Sequence, residues 1–167
     1  MNDSSNVSKT FFDELDKKRQ ETFSKWENAY NTISSELESL IDSLDEIKKI
    51  DNPVFQDLTL KFYTIHLCNF FFFHIRKVLV DRNIDNEISK LLLNSFSNTS
   101  NIPSPPVMNH LLSYFISDEF ELKRMCEFYK KIQELRNKYA HGASNETSFN
   151  ITMDEFREIY ESVKKIA

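Results

Sequence analysis

A chain with one glycine in 167 residues has little material for tight turns. Hairpin turns need positive φ at one or two positions, and glycine takes that conformation without steric cost. Only four prolines accompany it. Helices need neither residue in their interiors. The composition therefore predicts an all-α fold, an antiparallel bundle of about five helices with a long N-terminal helix. Hydrophobic residues make up 40%, with 15 phenylalanines, which is enough to fill a core. The length suits one domain over residues 1–167, with polar residues 1–7 frayed or disordered.

The first helical pattern covers about Ser8 to Ile50. From Phe23 its apolar positions are Trp26, Tyr30, Ile33, Leu37, Leu40, Leu44 and Ile47, alternating steps of three and four. That is a heptad seam. Phe11, Phe12 and Leu15 extend it loosely, with a break expected near Arg19. The seam suits packing along its own bundle or against a second subunit. Asn52-Pro53 reads as an Asx cap followed by proline at the first helical position. The helix it opens, Pro53 to Arg82, is apolar nearly all round: Phe55, Leu58, Phe62, Ile65, Phe70 to Phe73, Val78 and Leu79. A helix without a polar face belongs at the centre.

A shorter helix is expected over Asp85–Phe96, then a loop over Asn98–Pro106 that would border a substrate groove, then a short helix over Val107–Ile116. Asp118 with Glu121, and Thr152 with Glu155, form capping boxes. They open helices over 119–140 and from Met153 to about Ile166, joined by a polar loop over Ala143–Asn150.

A net charge of −5 argues against a general nucleic-acid coat protein. Cys68 and Cys126 sit among apolar neighbours and read as reduced core residues of a cytoplasmic protein. The N-terminus has no apolar signal region, and the most apolar run, Ile65–Val80, is too polar to span a membrane. No Cys/His cluster has zinc spacing, and one glycine builds no phosphate loop, so neither metal nor cofactor is expected. His66 and His74, eight apart on the central helix, read as satisfied core or interface residues, and His110 as facing solvent.

The stretch richest in chemistry is Glu134-Leu-Arg-Asn-Lys-Tyr-Ala-His-Gly142. It closes the helix that starts near Asp118, and Gly142 falls where a C-cap takes φ > 0. From Leu122 to His141 that helix carries Lys123, Arg124, Lys130, Lys131, Arg136 and Lys138 against Glu127 and Glu134, six cations against two anions, or +4. Such a run suits a solvated helix with cations toward its C-terminus, or a strip that attracts phosphate. A guanidinium grips phosphate oxygens, and an imidazole moves protons near neutral pH.

Arg136-Asn-Lys-Tyr-Ala-His141 resembles the R-x4–6-H signature of the HEPN superfamily (higher eukaryotes and prokaryotes nucleotide-binding domains), with a polar residue straight after the arginine. The resemblance covers the motif closely and the rest of the chain only in architecture. It implies a HEPN-like bundle of four or five helices that pairs as a homodimer, with Arg136 and His141 of both copies in one cleft. It further implies a metal-independent endoribonuclease whose RNA substrate supplies its own 2′-hydroxyl as nucleophile. His141 would be the general base or acid, since an unperturbed imidazole titrates at about 6.5. Arg136 would hold the scissile phosphate and stabilise its transition state. Asn137 would orient His141 or bind a phosphate oxygen. Lys130, Lys131 and Lys138 would attract RNA, and Tyr139 would pack or stack on a base. Toxins of this family serve stress and antiviral systems under a protein inhibitor or antitoxin. Those modified by a nucleotidyltransferase often carry a tyrosine two residues after the histidine; here Gly142-Ala143 follows, so control through that tyrosine is not implied. Other HEPN domains bind nucleotides or partners without cutting, so a non-catalytic helical module is the alternative.

Overall fold

The computed structural model of the protein describes residues 4–82, 102–140 and 151–167. Among them are five helices and no strand: α1 (Ser4–Lys49), α2 (Pro53–Asp81), α3 (Pro105–Leu112), α4 (Glu119–Ala140) and α5 (Met153–Lys164). The helix expected over Asp85–Phe96 and the loop expected over Ala143–Asn150 lie outside the described residues.

The N-cap bonds read from the sequence are present, but the return half of each capping box is not shown: Glu121 accepts from Arg124 and Glu155 from Lys131 instead. Asn52 Oδ1 accepts from the Phe55 amide at 3.0 Å, with Pro53 in the first turn. Asp118 Oδ1 accepts from the Glu121 amide at 2.7 Å, and Thr152 Oγ1 from the Glu155 amide at 3.1 Å. Three boundaries differ, one of them the end of α3, which stops at Leu112 rather than Ile116. α1 starts at Ser4 and runs unbroken through Arg19, because no proline or glycine interrupts it. α3 starts at Pro105 rather than Val107: both prolines fit a first turn, where the missing N–H costs nothing.

α2 is the centre, and α1, α3, α4 and α5 all pack on it. Trp26 meets Phe73, whereas Gln56 reaches back to the carbonyls of Ile47 and Ile50, so α1 and α2 run antiparallel. Phe71 meets Tyr129 and Lys61 meets Tyr139, so α4 is also antiparallel to α2. α5 runs alongside α1 through Lys48–Asp154, Arg157–Asp45 and Lys164–Glu38, and joins α4 through Lys131–Glu155 and Arg124–Glu158. Within the described residues the heptad seam closes on its own bundle: Trp26, Leu37, Leu40 and Leu44 are buried, and Tyr30, Ile33 and Ile47 pack against the core.

The all-apolar reading of α2 needs one correction. Phe70 to Phe73 are buried, but Phe55, Leu58 and Phe62 in the first half face outward. No neighbouring helix among the described residues covers that side.

His74 ties the bundle together. Its Nε2–H donates to the Ile166 carbonyl at 2.8 Å, which leaves Nδ1 to accept from the Tyr30 hydroxyl at 3.0 Å. One neutral tautomer thus joins α1, α2 and the segment after α5. His66 Nδ1 lies 3.2 Å from Glu36. His110 is exposed beside Tyr114, as expected.

Burial chiefly, with Lys77 and Lys164 nearby, pushes the His74 pKa below the usual imidazole value despite the bond to Ile166. The unfolded chain therefore binds that proton more readily. Stability is complete above about pH 6.5 and falls as pH drops through that value toward the lower folded one. Denaturant unfolding at pH 7.5 and 5.5 should show the loss, and His74→Gln should flatten it. Phe71→Ala should cost about 3–5 kcal/mol in the same assay, because it empties the packing between α2 and α4.

Candidate functional site

α4 presents its inward stripe, Met125, Tyr129, Ile132 and Leu135, to the core. Arg136 follows one turn after Ile132, so its side chain leaves the helix on the side that faces α2. The residue is half-buried. Its Nη1 donates to Asn137 Oδ1 at 3.0 Å, and Asn137 itself is exposed. Its Nε is buried and has no hydrogen-bond partner among the described residues. No carboxylate among them pairs with Arg136. By contrast Arg124 lies 2.9 Å from Glu121 and 3.5 Å from Glu158, and Arg157 lies 3.1 Å from Asp45.

The guanidinium is felt by two groups in the core. Burial pushes the Cys68 thiol up to about 12, and the Arg136 charge works against that shift. Burial also raises the Tyr129 phenol, again with Arg136 opposing. Tyr129 donates its hydroxyl to the Pro103 carbonyl at 2.6 Å, and Gln133 donates to the same carbonyl at 2.7 Å. The strand of chain before α3 is thereby pinned to α4 a turn below Arg136. Tyr139 is half-buried, packs against the core and lies under the Lys61 ammonium, 5.9 Å from its ring centre. In the bundle this ring packs against its neighbours. His141, the other half of the motif, lies outside the described residues, as does Gly142.

The six cations of α4 do not form one strip. Lys123, Glu127, Lys130, Glu134 and Asn137 recur at steps of four and three and make the exposed face, with signs alternating along it. Lys131 sits on the flank toward α5, paired with Glu155, and Arg124 is on the same flank. Lys138 is half-buried. Of the lysines expected to attract RNA, only Lys130 stands fully exposed. Among the described residues no three His, Cys, Asp or Glu side chains converge to hold a metal, and no helix is long and apolar enough to cross a membrane.

The residues that surround Arg136 carry no motif of their own. Cys68 and Lys61 reach it, or its neighbour Tyr139, only because α2 and α4 pack antiparallel. An uninterrupted aromatic helix announces that it will be packed against, but not which residues meet across the contact. Comparison with known proteins adds no relative: no family model, no curated protein and no solved structure matches the chain.

With the thiol of Cys68 fully buried and held neutral, a thiol reagent at pH 8 should leave it unlabelled in the folded protein and label it once denaturant is added. Cys126, half-buried with its Sγ–H donating to Asn109 Oδ1 at 3.0 Å, should react first.

Proposed function

We propose that the chain is a metal-independent endoribonuclease of HEPN type that works as a homodimer. The observation that carries the reading is Arg136: a half-buried guanidinium at the end of α4, five residues before His141, uncommitted to any carboxylate among the described residues. A structural arginine on an inward stripe is ordinarily paired, since a partly desolvated cation without a counter-charge is costly. A phosphate diester supplies that charge. The partly buried setting strengthens the attraction over what a surface arginine gives.

The chemistry follows from the residue types. One His141 takes the proton from the RNA 2′-hydroxyl, whose oxygen attacks the neighbouring phosphorus. The bond from phosphorus to the 5′-oxygen breaks, and the His141 of the second copy protonates that leaving oxygen. The products are a 2′,3′-cyclic phosphate and a 5′-hydroxyl. Arg136, steadied by Asn137, neutralises the charge that builds on the phosphate oxygens. Lys130 and Lys138 would assist binding, and Lys131 less, because Glu155 already holds it. A cytoplasmic toxin or an antiviral or stress effector, kept in check by a protein inhibitor, is the setting this activity suits.

A second reading is a non-catalytic helical module that docks another protein. The outward apolar residues of α2 favour it. The two separate in one assay, in which purified protein is incubated with RNA in excess chelator. The nuclease reading expects cleavage, a fall of about 10²–10³-fold in Arg136→Ala, and a fall of about 10²–10⁴-fold in His141→Ala, with folding intact. Equal cleavage by all three proteins would mark a contaminant and leave the docking module.

A further inference from the structure

The first turns of α2 leave an apolar stripe uncovered. Val54 is 68% exposed, Leu58 59% and Phe62 57%, with Phe55 beside them at 45%. The spacing of four puts Val54, Leu58 and Phe62 on one face. α1 flanks the stripe on one side, where His66 meets Glu36, and α4 on the other, where Lys61 lies over Tyr139. The stripe therefore points away from the core between two neighbours. Single exposed apolar residues such as Phe120 are ordinary, but a contiguous run of four large ones marks a contact surface.

We propose that a second copy of this chain covers the stripe, α2 against α2 and antiparallel, about a two-fold axis beside Leu58. The stripe is self-complementary about that residue. Leu58 meets its own twin, and Val54 meets the partner's Phe62 at both ends, small against large, as an isologous contact requires. The charges at its edge agree. Asp57 and Lys61 form an ion pair at 2.5 Å within one turn. Antiparallel packing about Leu58 orders the rim as Lys61, the partner's Asp57, Asp57 and the partner's Lys61, so each carboxylate lies beside an ammonium of both copies and the four charges sum to zero. Position agrees as well. Tyr139 sits level with Lys61, three residues, or about 4.5 Å, along α2 from Leu58. An axis at Leu58 thus brings the two motif-bearing ends of α4 within about 9 Å of each other along the helix direction. The choice of a second copy over another protein rests on the nuclease reading, whose cleft is incomplete without one.

The test uses the full chain. Sedimentation of the wild type should give the dimer mass. Leu58→Glu should give the monomer mass with its helical circular dichroism retained. Under mild oxidation Leu58→Cys should cross-link between copies, because residues at a two-fold axis approach within disulfide reach. Phe120→Cys, more exposed but off the axis, should not. A monomeric wild type, a Leu58→Glu variant that stays dimeric, or equal cross-linking through both cysteines would overturn the proposal. A dimer dispersed by Leu58→Glu that never cuts RNA would sink the nuclease reading and leave this interface standing, whereas RNA cut by a dimer that Leu58→Glu leaves intact would do the reverse.

Discussion

Four successive phenylalanines on a helix cannot share a face. Each residue turns about 100°, so Phe70 to Phe73 sweep the whole circumference of α2, and burying all of them needs neighbours on every side. That demand organises the bundle. α1 covers Phe70 and Phe73 with Tyr30 and Trp26, α4 covers Phe71 with Tyr129, and α5 lays Tyr160 on Phe70. The ring contacts, with centroids from 5.1 to 6.1 Å, are mostly tilted or edge-on, which aromatic quadrupoles favour. Polar groups are admitted on strict terms. His74 is allowed because both ring nitrogens are satisfied, and Arg76 because it lies 4.8 Å from the Trp26 ring centre.

The same packing sets the candidate site. Once α4 must lie antiparallel on α2 to cover Phe71, the inward stripe of α4 continues past Ile132 to Arg136. A guanidinium there stands beside the sealed part of the core, within electrostatic reach of Cys68, while its head remains partly open. A lysine in its place would present a point charge on a flexible stem, without the fixed fork that matches a phosphate. The core side of the helix thus contributes a held, oriented cation, and the exposed side contributes little net charge.

The elements were legible where the local chemistry is strong. Asn52-Pro53, Asp118 with Glu121 and Thr152 with Glu155 announced three helix starts, and the steps from Trp26 to Ile47 announced the packed face of α1. What could not be read was pairing across helices. Phe55, Leu58 and Phe62 look like core residues on any hydropathy pattern, and only the geometry of α1 and α4 leaves them outside. The six cations of α4 summed to +4 along the chain, but the helix splits them between an alternating outer face and flanks that carry their own acids. Charge counted along a sequence says nothing about which side of a cylinder bears it. The sequence singles out Arg136; that it finds no acid among the described residues is visible only in the packed bundle.

The account asks these residues to break RNA with no help beyond the substrate's own hydroxyl. Its most direct measurement is therefore made on the RNA, with a 2′-deoxy nucleotide placed at the cleaved position and the other sugars unchanged. The account predicts that this substrate is bound but not cut, while its all-ribose counterpart gives a 2′,3′-cyclic phosphate. Cleavage of the deoxy substrate at an undiminished rate would contradict it, since the attacking oxygen would then have to come from somewhere else.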